Sequence, residues 1–238
     1  MEPIPAGEPS DSEGEEIEVF KCSDFIVADD NALVCKLESR LFEELEPSEK
    51  KGEIIYTGLK SSIRCIAVHP SEPILAIGGE KPSFIICWNY ASKESLIMYN
   101  DHEPKVLEYS PDGKYLFEGT TGGIIKILDP FTLEEKESEC KVTERDKPKL
   151  VITMLVVADD SQHFATMDND HCVSLFKRDH KYGDVNENIE WVFYGKVRSH
   201  DTRITSISFG ESLDEKEELQ LRLFSIGEDR IMIEYNVR

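Results

Sequence analysis

Short apolar runs, each broken by a turn of small or polar residues, recur along this chain. The clearest set lies in residues 106–129. Val106, Leu107 and Tyr109 precede the turn Ser110-Pro111-Asp112-Gly113, and Tyr115-Leu116-Phe117 follow it. A second small-residue turn, Gly119-Thr120-Thr121-Gly122-Gly123, leads into Ile124-Ile125-Lys126-Ile127-Leu128. Proline presets φ at the first corner and glycine accepts the positive φ that side chains resist, so the pattern predicts three strands and two tight turns. Such a meander is marginal alone, because one of its faces has nothing to pack on. The chain repeats it. Further copies run from Cys65 through Ile74 to Trp88, from Phe164 to Phe176, from Leu223 to Tyr235 and, more faintly, from Phe25 to Leu37. The residues that close the third strand, Leu37, Trp88, Leu128, Phe176 and Tyr235, fall about 40 to 60 positions apart, the period of propeller blades built from four short strands.

Several segments stand outside this pattern. Residues 1–16 carry six acidic and no basic side chains, and are expected to form a disordered acidic tail ahead of blades in 17–238. Ser10 and Ser12 in that tail suit an acid-directed kinase, with Glu13 and Glu15 three positions on. The first copy offers only Ile17-Glu18-Val19-Phe20 for its innermost strand, and Leu41, Phe42 and Leu45 suggest a short helical turn. Ile54 and its neighbours read as an outer strand, as do residues 191–195, whereas 150–157 read as a strand buried on both faces. Residues 134–149, 177–190 and 210–218 are charged, and are expected to be inserted surface loops that bind partners. The fifth copy shows no fourth strand. The expected architecture is therefore all-β, with about four and a half blades in an incomplete propeller. With both ends unfinished, the chain is expected to be a fragment of a longer protein, or to be completed by a partner or second copy.

The wording Ser110-Pro111-Asp112-Gly113 and Ile127-Leu128-Asp129, with Trp88 closing another copy, resembles WD repeats over roughly residues 20 to 238. The degenerate repeats and acidic loops look most like the WD-repeat proteins of cilia and flagella, in particular those of the calmodulin- and spoke-associated complex. That resemblance implies a non-catalytic scaffold in the axoneme, near the base of the radial spoke, supporting ciliary or sperm flagellar motility. It also implies other axonemal or radial-spoke proteins as partners, and a location in the cytoplasm and cytoskeleton. A cytoplasmic or nuclear WD-repeat assembly factor or substrate receptor is the alternative. WD blades share a buried set of His, Ser or Thr, Asp and Trp that satisfy one another's hydrogen bonds. The matching residues here are His200, Ser225, Asp229 and Tyr235 in the fifth copy, and Thr166 and Asp170 in the fourth. The third copy has His102, but Glu118, Gly122 and Leu128 at the other places.

Composition narrows the chemistry. Among 238 residues, 48 Asp and Glu against 27 Lys and Arg give a net charge of −21, which opposes binding to nucleic acid or anionic membrane. The six cysteines form no C-x-x-C pair and read as reduced, mostly buried thiols of a soluble intracellular protein. Asp184-Val185-Asn186-Glu187-Asn188 matches the opening of an EF-hand loop. However, Ile189 stands where glycine must make the turn, and Gly195 where the bidentate glutamate belongs. Asp168, Asp170 and His171 share a turn that needs no metal to explain it. No phosphate-binding loop, nucleophile elbow or metal, cofactor or small-molecule site is expected, and no enzymatic activity.

Overall fold

The computed structural model describes residues 25–28, 34–37, 53–57, 59, 61–142, 149–180, 189–213 and 219–237. All of its regular elements there are strands, paired into five antiparallel sheets. The first sheet contains β1 (Phe25–Ala28), β2 (Val34–Leu37) and β3 (Glu53–Tyr56). The second runs β4 (Ile63–Val68), β5 (Ile74–Gly79), β6 (Phe84–Asn89), β7 (Ser95–Tyr99), and the third β8 (Pro104–Tyr109), β9 (Leu116–Thr120), β10 (Ile124–Leu128), β11 (Glu135–Lys141). The fourth is β12 (Ile152–Val157), β13 (His163–Asp168), β14 (Cys172–His180), β15 (Ile189–Arg198). The fifth contains β16 (Ile204–Leu213), β17 (Leu219–Gly227) and β18 (Met232–Tyr235).

Each sheet is a meander in chain order. First strands stack on one another, β4 on β8, β8 on β12 and β12 on β16. Apolar side chains accordingly gather between successive sheets. Leu75, Ile77 and Trp88 pack with Val34 between the first two, and Ala76, Ile85 and Cys87 with Leu107, Leu116 and Leu128 between the next two. Phe117 and Ile127 meet Ile152, Phe164, Phe176 and Trp191 between the third and fourth, and Ala165 and Leu175 meet Ile207 and Leu223 between the fourth and fifth. Face-to-face stacking of meanders through their first strands is the arrangement of an incomplete propeller.

Two local devices repeat. Each of β4, β8, β12 and β16 carries a bulge one residue in, at Arg64, Lys105, Thr153 and Thr205. An extra residue there bends the strand and raises its twist. The Thr153 and Thr205 hydroxyls donate back to carbonyls of the neighbouring strand, at 3.2 and 3.1 Å. The second device is a side-chain oxygen that caps a turn. Asn89 and Asp129, directly after Trp88 and Leu128, each accept two backbone amides at 2.9 and 3.0 Å. That turn sends the chain straight into β7 and β11.

Three expected loops are corrected. Within 134–149, β11 is the fourth strand of the third sheet; only Cys140 of it is buried, because an edge strand facing water needs no apolar alternation. Position 177 holds Lys rather than a capping Asp or Asn, and β14 continues to His180, pairing through to Ile189 of β15. Gly210 and the next three residues likewise extend β16 against β17. The strand expected to be buried on both faces is only partly so, since Thr153 is exposed. The acidic tail with Ser10 and Ser12, the Ile17 to Phe20 segment, the helical turn near Leu41 and the EF-hand-like 184–188 all lie outside the described residues.

Turns of neighbouring sheets are tied together. His69 is buried; its Nδ1 accepts the amides of Ser71 and Glu72 at 3.3 and 3.0 Å, so its Nε2 carries the proton and donates to the Gly113 carbonyl at 3.0 Å. Gly113 has φ +71°, and a Cβ there would lie 2.6 Å from the His69 ring. One sheet further on, the Asp112 amide donates to Ser161 Oγ at 3.2 Å. His69→Ala is expected to lose about 1 to 2 kcal/mol in urea denaturation, through the acceptor and donors left without partners. A loss below the error of the measurement would show that water replaces the ring.

Candidate functional site

The fifth sheet assembles a complete polar set. His200 precedes β16, Ser225 lies on β17, Asp229 on the turn after it and Tyr235 ends β18. His200 is buried between two partners, with Nδ1 2.8 Å from Asp229 Oδ2 and Nε2 2.6 Å from Ser225 Oγ. Ser225 Oγ in turn lies 2.8 Å from the Tyr235 hydroxyl. Gly227 makes room for the ring, because a Cβ there would stand 2.6 Å from His200 Nδ1. Burial works against ionised Asp229, but hydrogen bonds from the Ile231 amide and His200 hold its carboxyl below the usual range. His200, Ser225, Asp229 and Tyr235 thus form one hydrogen-bonded chain that ties the segment before β16 to β17 and β18.

The fourth sheet is organised differently. Thr166 is buried, with its hydroxyl lacking a protein partner. Asp170 is exposed on the turn, and the buried carboxylate belongs instead to Asp168, whose side chain is 1% exposed. The strand register places Asp168 opposite Ile152 just as Gly227 lies opposite Ile204. A carboxylate thus stands where glycine admits histidine in the fifth sheet. Asp168 Oδ1 accepts the amides of Asp170 and Cys172 at 3.0 and 3.1 Å, and Lys196 from β15 places Nζ 2.5 Å from Oδ2. Sequence reasoning passed over this pair because Lys196 lies 28 residues away on an outer strand. Asp229→Ala is therefore expected to lower the melting temperature more than Asp170→Ala, by differential scanning calorimetry. The reverse order would move the buried carboxylate back to Asp170.

In the third sheet Glu118 occupies the place of Ser225 and is wholly buried. Asn100 Nδ2 donates to its Oε1 at 2.8 Å, and its Oε2 has no protein partner. Burial pushes its carboxyl up to about 7; Lys126 opposes the rise and Glu135 adds to it. His102 is half-buried. Among the closing residues, Trp88, Leu128 and Phe176 are buried, and Trp88 meets Tyr56 edge-on at 5.1 Å. Leu37 pairs with Phe25 at the end of the first hairpin.

Other chemistry is muted among the described residues. No cluster of three or more His, Cys, Asp or Glu side chains occurs that could hold a metal ion. The five described cysteines are free thiols; burial drives Cys65 and Cys140 up to about 12 and leaves them protonated. Among the described residues, no helix is long and apolar enough to cross a membrane.

No protein-family model matches the chain. It is 38% identical over 232 residues to cilia- and flagella-associated protein 251 of Tetrahymena thermophila, covering 94% of this chain and 23% of that protein. Proteins of the same name match from Pongo abelii (30% identical, 92% of this chain, 18% of the relative) and Chlamydomonas reinhardtii (28%, 92% and 25%). The chain thus spans a quarter or less of the length of these relatives. Over nearly all of its own length, the chain is similar to proteins named as cilia- and flagella-associated.

Proposed function

We propose that this chain is a non-catalytic WD-repeat scaffold that holds other proteins in the axoneme of cilia or flagella, near the base of the radial spoke, in support of ciliary or sperm flagellar motility. The similarity to cilia- and flagella-associated proteins over nearly the whole chain carries this reading. The geometry supports it from a second side. His200, Ser225, Asp229 and Tyr235 are engaged with one another inside the fifth sheet, and the outer strands and long hairpins are what the molecule turns toward partners. Fold alone does not assign function, so the similarity carries the ciliary part.

Cosedimentation tests the reading. Tagged chain added to salt-extracted axonemes is expected to pellet with them and to concentrate at radial-spoke bases by immunogold labelling. Retention in the supernatant, with recovery in a cytoplasmic or nuclear complex, would favour an assembly factor or substrate receptor. Replacing residues 181–188, between β14 and β15, with a short Gly-Ser link is expected to leave the melting temperature within a few degrees and to weaken axoneme binding. A large loss of stability with binding intact would assign that segment to folding.

A further inference from the structure

The strongest unassigned surface is a cavity of about 350 Å³ between the outer strands of the third and fourth sheets. Phe176, Trp191 and Phe193 line it together with Glu137, Glu139 and Glu190, three acids against the single cation Lys141, which pairs with Glu139 at 3.0 Å. Phe193 is 45% exposed, so part of this apolar wall faces water. Trp191 is only 7% exposed, yet its Nε1–H has no protein acceptor; Oε2 of Glu137 is also buried and without a donor. Glu137 Oε1 already holds Arg178 Nη1 at 2.7 Å. A buried donor and a buried acceptor without partners are costly unless something outside the chain satisfies them.

The electrostatics indicate what that is. After burial, the three carboxylates Glu137, Glu190 and Glu139 are what raise the Cys140 thiol, so their negative fields converge beside the cavity. β11 and β15 each end their sheet, and the cavity lies where these two strand edges meet. An edge presents backbone groups to an extended segment laid beside it. A second copy of the chain would bring another net charge of −21 toward this acidic rim, which disfavours self-association there.

We propose that the groove between β11 and β15 docks an extended peptide segment of a partner protein in which basic and apolar side chains alternate. The apolar side chains lie against Trp191 and Phe193, a basic side chain completes Glu137, and a backbone carbonyl of the segment accepts from Trp191. This deepens the scaffold reading and rests on it for biological meaning. The peptide test below needs no axoneme, so either can fail without the other.

The probe is a synthetic decapeptide alternating lysine and leucine, titrated into the full chain carrying Trp88→Phe, which leaves Trp191 as the remaining tryptophan. Saturable change in Trp191 emission is expected. Glu137→Gln is expected to weaken the affinity by about tenfold, as loss of one charge-assisted hydrogen bond does. Glu72→Gln, an exposed acid on another sheet, is expected to change it by less than about twofold. Should Trp88→Phe melt early by circular dichroism, anisotropy of a labelled peptide replaces the tryptophan signal; should Glu137→Gln do so, Glu139→Gln replaces it. Equal weakening by Glu72→Gln, absence of saturation, or a dimer in sedimentation that Glu137→Gln dissolves would each overturn the proposal.

Discussion

Lys196→Met is expected to cost about 3 to 5 kcal/mol in urea denaturation, because it strands the buried Asp168 carboxylate. Methionine keeps most of the apolar stem of lysine, so packing along β15 changes little and the missing charge dominates. The two amides that Asp168 Oδ1 accepts remain, but Oδ2 loses its partner. Adding Asp168→Asn in the same chain is expected to recover more than half of the loss, since the amide keeps an acceptor for the turn and carries no charge. Recovery of that size is a coupling between neighbours, which a double-mutant cycle isolates. A cost below about 1 kcal/mol for Lys196→Met would mean that water reaches Asp168 and that the pair is a surface bridge in its energetics.

Glu118→Gln is expected to stabilise the chain at pH 8 by about 3 kcal/mol and to leave it nearly unchanged at pH 5. The glutamate is raised from an ordinary 4.5 to about 7 when folded, mainly by burial. Between those values the folded protein keeps a proton that the unfolded chain has released. Stability therefore falls as pH rises through that window and levels off above it. A shift of this size corresponds to roughly 3 kcal/mol. Glu108, also raised to about 7 by burial, adds to the same trend in both proteins. Asp112 and Asp129, held below the usual carboxylate range, lose their contribution only at lower pH. Comparing the two chains at each pH cancels these shared terms and any histidine titration. An equal effect of Glu118→Gln at pH 5 and pH 8 would show that Glu118 is ionised and solvated in the folded state.

Sequence patterning carries much of this molecule because its elements are local. A run such as Phe84 to Trp88 followed by Asn89 specifies a strand and its cap within six residues, and the cap oxygen bonds amides only two and three positions away. Gly113 is legible for the same reason, since a Pro-Asp-Gly turn calls for a residue that tolerates positive φ. The His200, Ser225, Asp229 and Tyr235 cluster could be nominated from the resemblance to WD repeats. Its distances came from the structure.

What local pattern cannot carry is an edge, a length or a cross-sheet partner. β11 has almost no apolar signal, and it is a strand only because the unpaired edge of β10 lies within reach of its backbone. The hairpins β14–β15 and β16–β17 are long because no side chain caps an early turn, a missing signal that reads from sequence as a loop. Asp168 outranks Asp170 because the pleat turns one carboxylate inward, and because Lys196 arrives from an outer strand to neutralise it. The chain alone determined the repeating meander, its turn chemistry and its acidity, all set by neighbours within a few residues. Stacking of the sheets decided which acids are buried, which cations meet them and where an aromatic groove is left open. Those outcomes depend on desolvation and on contacts between residues far apart in sequence, which exist only once the sheets are packed.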